Sequence, residues 1–198
     1  MSNLISSESL ELLRSNKTYY MSTKQPLMGF NSSIKILKGL KKYNYTTGIL
    51  YLQPSNAVSV KTFCPFADPA GCKDDCLGKT SGRLAMSQSQ RAMTRRSIQY
   101  VLDPDGFKER LRHEIIKNEK DNYCIRLNGT SDLDWSDLIA SLPNVQFYDY
   151  TKVFKRLERN ILPNYHLTFS ASFKSNKTIQ QAKEAVKRKY NVAIPLNT

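Results

Sequence analysis

The chain has 198 residues, 40% of them hydrophobic and 24% charged, with 30 Lys and Arg against 17 Asp and Glu. That is long enough for one domain with a substantial core, and no apolar run approaches the ~20 residues needed to span a bilayer. The net charge of +13 points to an anionic partner (DNA, RNA or a nucleotide) or to a solvated basic surface.

The N-terminus, MSNLISSESLELLRSNK, lacks a basic stretch followed by an apolar one, so no secretory signal is read and the expected location is the cytoplasm. Residues 1–45 form a weakly patterned segment ending in the basic run Lys35, Lys38, Lys41 and Lys42. From residue 46 to 198 the chain reads as one α/β domain. Thr46–Gln53 is rich in β-formers and stops at Pro54, which predicts a first strand. Ser87–Tyr100 predicts a helix, and Asp103-Pro-Asp-Gly106 a turn. Phe107–Lys120 carries Phe107, Leu111, Ile115 and Ile116 on one helical face. Tyr123–Asn128 predicts a second strand, Trp135–Leu142 a short helix capped by Asp132 or Asp134, and Val145–Tyr150 a third strand. A basic helix to Asn160, a strand over Tyr165–Ser172, a helix over Lys177–Tyr190 and a strand over Asn191–Leu196 complete the pattern. Five strands alternating with helices predict an open parallel sheet or a partial (β/α) barrel, since five units are too few to close eight strands.

Between the first strand and the first helix lies Cys64-Pro-Phe-Ala-Asp-Pro-Ala-Gly-Cys72-Lys-Asp-Asp-Cys76, spaced C-x7-C-x3-C within a loop over residues 64–76. In a reducing compartment, thiolates grouped this way suit a metal or an iron–sulfur cluster rather than disulfides. Three thiolates on a [4Fe–4S] cubane leave one iron open. Zinc needs a fourth ligand, for which Cys124, His113 and His166 are the candidates, and Cys124 is equally the candidate to close a cluster.

In parallel α/β folds chemistry gathers at the C-terminal ends of strands. Those ends are polar here: Arg126, Asn128 and Asp132 after the second strand, Asp149 and Lys152 after the third, Ser170 after the fourth. Cys124, Arg126 and Asn128 share one strand face and Tyr123, Ile125 and Leu127 the other. Arg126 therefore needs a partner, Asp132, Asp149 or an anionic ligand, because a buried unpaired charge is costly. Asp149 and Lys152 also read as a structural ion pair. There is no phosphate-binding Walker loop, no dinucleotide-binding glycine fingerprint and no G-x-S-x-G elbow.

The cysteine loop, RLNGTSDLDW, FYDYTK and NYHLTFSAS, in this order, resemble the bacteriophage "gene product 88" domain family from about Ile49 to Leu196. The resemblance implies a phage origin, hence the host cytoplasm, and a shared fold rather than an activity. Members often extend further with acidic and glycine-rich segments, so it also implies a shorter member or one lacking a terminal part. A cysteine loop after the first strand of a partial barrel is similar in architecture to radical S-adenosylmethionine enzymes. That likeness implies Cys64, Cys72 and Cys76 as cluster ligands, S-adenosylmethionine as a cofactor held with the help of Asn128 and Ser170, and a substrate side lined by Arg126, Asn128, Asp132, Asp149, Lys152 and Ser170. The spacing departs from that superfamily's C-x3-C-x2-C, and Asn128-Gly-Thr stands where a glycine-glycine-acid motif is usual. Two expectations follow: an iron–sulfur enzyme acting on an anionic substrate, or a non-enzymatic zinc- or cluster-stabilised nucleic-acid-binding protein of phage replication or host takeover.

Overall fold

In the computed structural model the described residues run from 11 to 195, apart from 12, 23–24, 32–33, 56–60, 74–75 and 81. Residues 1–10 and Leu196, on which the signal reading and the last strand's end fall, lie outside them. A six-stranded sheet has strands in chain order: β1 (Met28–Phe30), β2 (Thr46–Leu50), β3 (Tyr123–Arg126), β4 (Gln146–Thr151), β5 (Tyr165–Ser170) and β6 (Asn191–Ala193). β1 runs antiparallel to β2, and β2 to β6 are mutually parallel. β1 and β6 are the two edges, so the sheet is open and not a closed barrel.

All five expected strands are present, the last trimmed to Asn191–Ala193. The sheet also reaches into the segment before residue 46. β1 is only three residues long, too short to register as a period-2 pattern. Its backbone is fixed instead by a side chain far along the chain: the Leu27 and Met28 N–H groups donate to Glu114 Oε2 and Oε1 at 2.8 and 2.9 Å.

Eight helices occur among the described residues. They are α1 (Lys17–Met21), α2 (Ile34–Tyr43), α3 (Leu77–Thr80), α4 (Ser87–Leu102), α5 (Pro104–Lys117), α6 (Ser136–Ala140), α7 (Phe154–Arg159) and α8 (Asn176–Lys187). The Asp103-Pro-Asp-Gly106 turn signal is in fact the start of α5. Pro104 takes the first turn, and the Asp103 carboxylate accepts from the Gly106 N–H at 3.0 Å. Asp134, not Asp132, satisfies the start of α6, accepting from the Ser136 N–H at 3.0 Å. α8 opens on a reciprocal capping box between Ser175 and Thr178.

Consecutive parallel strands lying side by side, joined by right-handed crossovers, send their helices to one face. The core agrees: Phe107, Leu111 and Ile115 of α5, Leu138 of α6, Leu157 of α7 and Ala182 and Ala185 of α8 cluster with Leu50, Ile125, Phe147 and Phe169 of the strands. The opposite face, which would be the inside of a closed barrel, carries Arg126, Tyr150 and His166, the last two exposed. The sheet is open, apolar toward its helices and polar on the other face.

Candidate metal centre

The loop after β2 leaves the sheet at its C-terminal edge and is clamped from several sides. Phe63 is fully buried, its N–H donates to Ser55 O at 2.7 Å, and its carbonyl accepts from the Asp132 N–H at 2.7 Å. Turn hydrogen bonds then wind the chain through Cys64 O, Phe66 O and Ala67 O. Ser172, just past β5, donates its hydroxyl to Ala70 O at 2.7 Å. The loop's exit is held by glutamines: Gln90 Nε2 donates to Gly78 O at 2.9 Å, and Gln53 Nε2 donates to Gln90 Oε1 at 3.0 Å. The loop is thereby hung over the ends of β3, β4 and β5.

Beneath it is a cavity of ≈ 510 Å³ whose wall includes Cys64, Cys72 and Cys76 on the loop side and Arg126, Lys152 and Ser170 on the strand side. This size suits a small ligand. Cys64 Sγ lies 3.6 Å from Thr130 O and Cys72 Sγ 3.7 Å from Ala67 O. Burial pushes the Cys64 thiol up to about 12, opposed by a backbone N–H of Ser55 and reinforced by Asp132, Cys76 and Cys72. Burial also raises Cys72, while Lys152 pulls it down. Cys64 and Cys72 thus feel each other's charge, and burial favours the protonated thiol at both. They are not a ready-made cage: among the described residues no three His, Cys, Asp or Glu side chains stand in metal-binding geometry. A soft cation would have to draw the loop in and displace the protons.

Cys124 stands elsewhere. It is buried early in β3, opposite Thr47, with Sγ and Oγ1 3.4 Å apart. It is not part of the cavity wall. His113 lies on α5 beside Glu109 at 3.3 Å, and His166 is exposed on β5. No fourth ligand for the loop comes from these three.

The strand-end residues divide by face. Asn128 is buried and committed to its surroundings. Its Oδ1 accepts from Ser131 Oγ and the Leu133 N–H, both at 2.9 Å, and from Trp135 Nε1 at 3.2 Å. Its Nδ2 donates to Leu133 O at 3.0 Å, and its backbone N–H donates to Asp149 Oδ1 at 2.8 Å. Asp149, 1% exposed, shares the helix-side parity of Phe147. It accepts from Tyr165 Oη at 3.3 Å and lies 3.9 Å from Arg126 Nε. Burial pushes its carboxyl up to about 7, against the pull of the Asn128 N–H, Arg126 and Arg156. Asp132 pairs with Arg156 at 2.5 Å and accepts from the Lys152 N–H at 2.9 Å. Asp149 and Lys152 do not pair. Lys152 Nζ donates to Ser170 O and Ser170 Oγ, both at 3.2 Å, and to Ala171 O at 3.5 Å. Arg126 lies over the Tyr150 ring, with Cζ 5.0 Å from the centroid.

Two features escaped the sequence reading. Gly129 passes so close to β2 that an added Cβ would lie 2.7 Å from Leu50 O. Arg156 of the basic helix α7 pairs with Asp132 and donates to Tyr165 Oη at 3.1 Å. Its i+4 neighbour Asn160 gave no signal of that. A larger cleft, ≈ 910 Å³, is bordered by Tyr20 of α1 and by Gln90, Arg91 and Arg95 of α4, but it holds no thiol.

Compared with known proteins, the chain matches the model of a family described as Gene product 88 over residues 23–198. No curated protein and no solved structure matches it.

Proposed function

The chain belongs to the bacteriophage gene product 88 family, and on that premise we propose that this phage protein is an iron–sulfur protein whose Cys64, Cys72 and Cys76 hold a [4Fe–4S] cluster over the C-terminal ends of the strands. The observation that carries the reading is that all three loop thiols border one cavity facing the strand ends while Cys124 does not. Three thiolates without a fourth favour a cubane with one open iron over closed tetrahedral zinc. The remaining acid on that wall, Asp132, is already paired with Arg156.

A cluster so held supplies electron transfer and an open coordination position, the position that S-adenosylmethionine takes in the superfamily this architecture resembles. The protein's own residues do the rest. The loop and the strand ends form the two sides of the cavity. Asn128, on the cavity wall with its amide already bonded, and Asp149, on the helix side, fix the turn after β3. Asp132 and Arg156 hold the end of β4, and Arg126 and Lys152 present positive charge to whatever enters. In this reading Asn128 and Asp149 are positioning residues, and the substrate is anionic.

Anaerobic purification should give brown protein with about four irons and matching acid-labile sulfide per chain. Cys64→Ala, Cys72→Ala and Cys76→Ala should each lose most of that iron, and Cys124→Ala should keep it. Added S-adenosylmethionine should alter the electron paramagnetic resonance of the reduced cluster. Colourless protein with one zinc per chain would end the reading.

A second reading, a metal-stabilised nucleic-acid-binding protein, is favoured by one surface. On and after α2, Lys38, Lys41 and Lys42 are exposed beside exposed Tyr43 and Tyr45, which suits phosphate contact with base stacking.

A further inference from the structure

Among the described residues, two cations facing the thiol cavity have no carboxylate within hydrogen-bond reach. Lys152 Nζ spends its donors on Ser170 O, Ser170 Oγ and Ala171 O, all uncharged. Those bonds satisfy hydrogen bonding but leave the positive charge. Arg126 has Asp149 as its carboxylate, 3.9 Å away and reached only by Nε, beyond hydrogen-bond range. That Nε is buried with no hydrogen-bond partner among the described residues. The two terminal guanidinium nitrogens have none either. Tyr150 covers one face of the guanidinium plane, which orients its donor edge without using it. The other acid on the wall, Asp132, is occupied by Arg156 and the Lys152 N–H.

A guanidinium with its donor edge unused and an ammonium beside it, on the wall of one cavity, are matched by an oxyanion. The fork of Arg gives two parallel hydrogen bonds, and Lys adds a point charge. A cubane on three thiolates would bring only about one net negative charge, which leaves the pair in surplus.

We propose that Arg126 and Lys152 form an oxyanion subsite that takes the carboxylate or phosphate group of a small molecule and sets it against the three-cysteine loop. The proposal deepens the cluster reading, and rests on it for what the bound molecule meets, but the binding itself needs no cluster. The ≈ 510 Å³ of the cavity fits a metabolite-sized ligand rather than a duplex.

The test is calorimetric titration of inorganic phosphate and, separately, acetate into the full chain at fixed ionic strength, both iron-loaded and metal-free. Arg126→Gln and Lys152→Met should each weaken the preferred anion about tenfold. Arg126→Lys, which keeps the charge but loses the fork, should fall between, and serves also if Arg126→Gln does not fold. Lys177→Gln with Lys183→Gln on α8 should change nothing. Stronger binding of phosphate assigns a phosphorylated ligand, and stronger binding of acetate a carboxylate. Equal weakening by the α8 changes, or affinity unchanged in both cavity variants, overturns the subsite. Iron content, measured on the same samples, separates that failure from failure of the cluster.

Discussion

Asn128 shows how a residue chosen for its place in the sequence acquires a different task in the fold. It sits just past β3, where ligand contacts are expected, but its amide is consumed by Ser131, Leu133 and Trp135. Asn128→Ala would leave the buried Trp135 N–H and Leu133 N–H without an acceptor. Each such orphan costs about 1–3 kcal/mol, so the variant should lose about 3 kcal/mol in denaturant titration. Asp149 gives a second test. Its folded carboxyl titrates near 7 against an ordinary 3.8. Between those values the folded chain keeps a proton that the unfolded chain has released, so stability is lost as pH rises through the window. The melting temperature should fall from about pH 4 to about pH 7 and level off above it, and Asp149→Asn should shrink that fall. The parity of the strand already distinguished these residues. The face test that grouped Cys124 with Arg126, applied to β4, puts Asp149 with Phe147 on the helix side. What no pattern of residues could reveal is that Arg126 would find Asp149 and still lack a hydrogen bond.

At the scale of elements, the strands and longer helices were legible because apolar spacing dictates them: Phe107, Leu111 and Ile115 mark α5 and are buried, although Ile116, read onto the same face, turns out exposed. β1 was not legible, since its backbone is held by Glu114 from α5 rather than by its own pattern. The junction of β2 and β3 was equally silent. Gly129 donates its N–H to Leu50 O at 3.0 Å and leaves no room for a methyl group against Ile49, Leu50 and Tyr51. Gly129→Ala should force the chain after β3 away from β2 and cost about 2 kcal/mol. The same displacement should lower iron retention, because Thr130, next in the chain, binds Leu52 O through Oγ1 at 2.5 Å and meets Cys64 through its carbonyl. Thermal unfolding and iron analysis of one preparation check both.

For the molecule as a whole, the charge of +13 and the thiol cavity pull toward different partners. The cavity wall offers two cations to a small anion. The exposed lysines of α2 offer many to a polyanion. The two are separable by salt. If nucleic acid binds α2, log affinity should fall steeply with log salt, with a slope near 0.9 per phosphate contact on duplex DNA. Lys41→Gln with Lys42→Gln should flatten that slope by about two contacts. A shallow slope unchanged by this pair would leave the basic surface a matter of solubility. Fold class was readable because strand and helix alternate. Openness was readable from the count of units, and the loop was already expected to face Arg126 and Lys152 at the strand ends, but the place of Cys124 away from that cavity wall was not readable from spacing.

Strand order that repeats chain order has a consequence for how the protein is made. A ribosome delivers β2, β3, β4 and β5 in the sequence in which they lie, so each docks on the edge left by the last. Two fastenings break that rhythm. Leu27 and Met28 must wait for Glu114, and the cysteine loop is tied down at Ala70 only when Ser172 emerges, about a hundred residues later. Until then the loop is anchored at Phe63 and Gly78, and the turn that carries Ala70 lacks its tether.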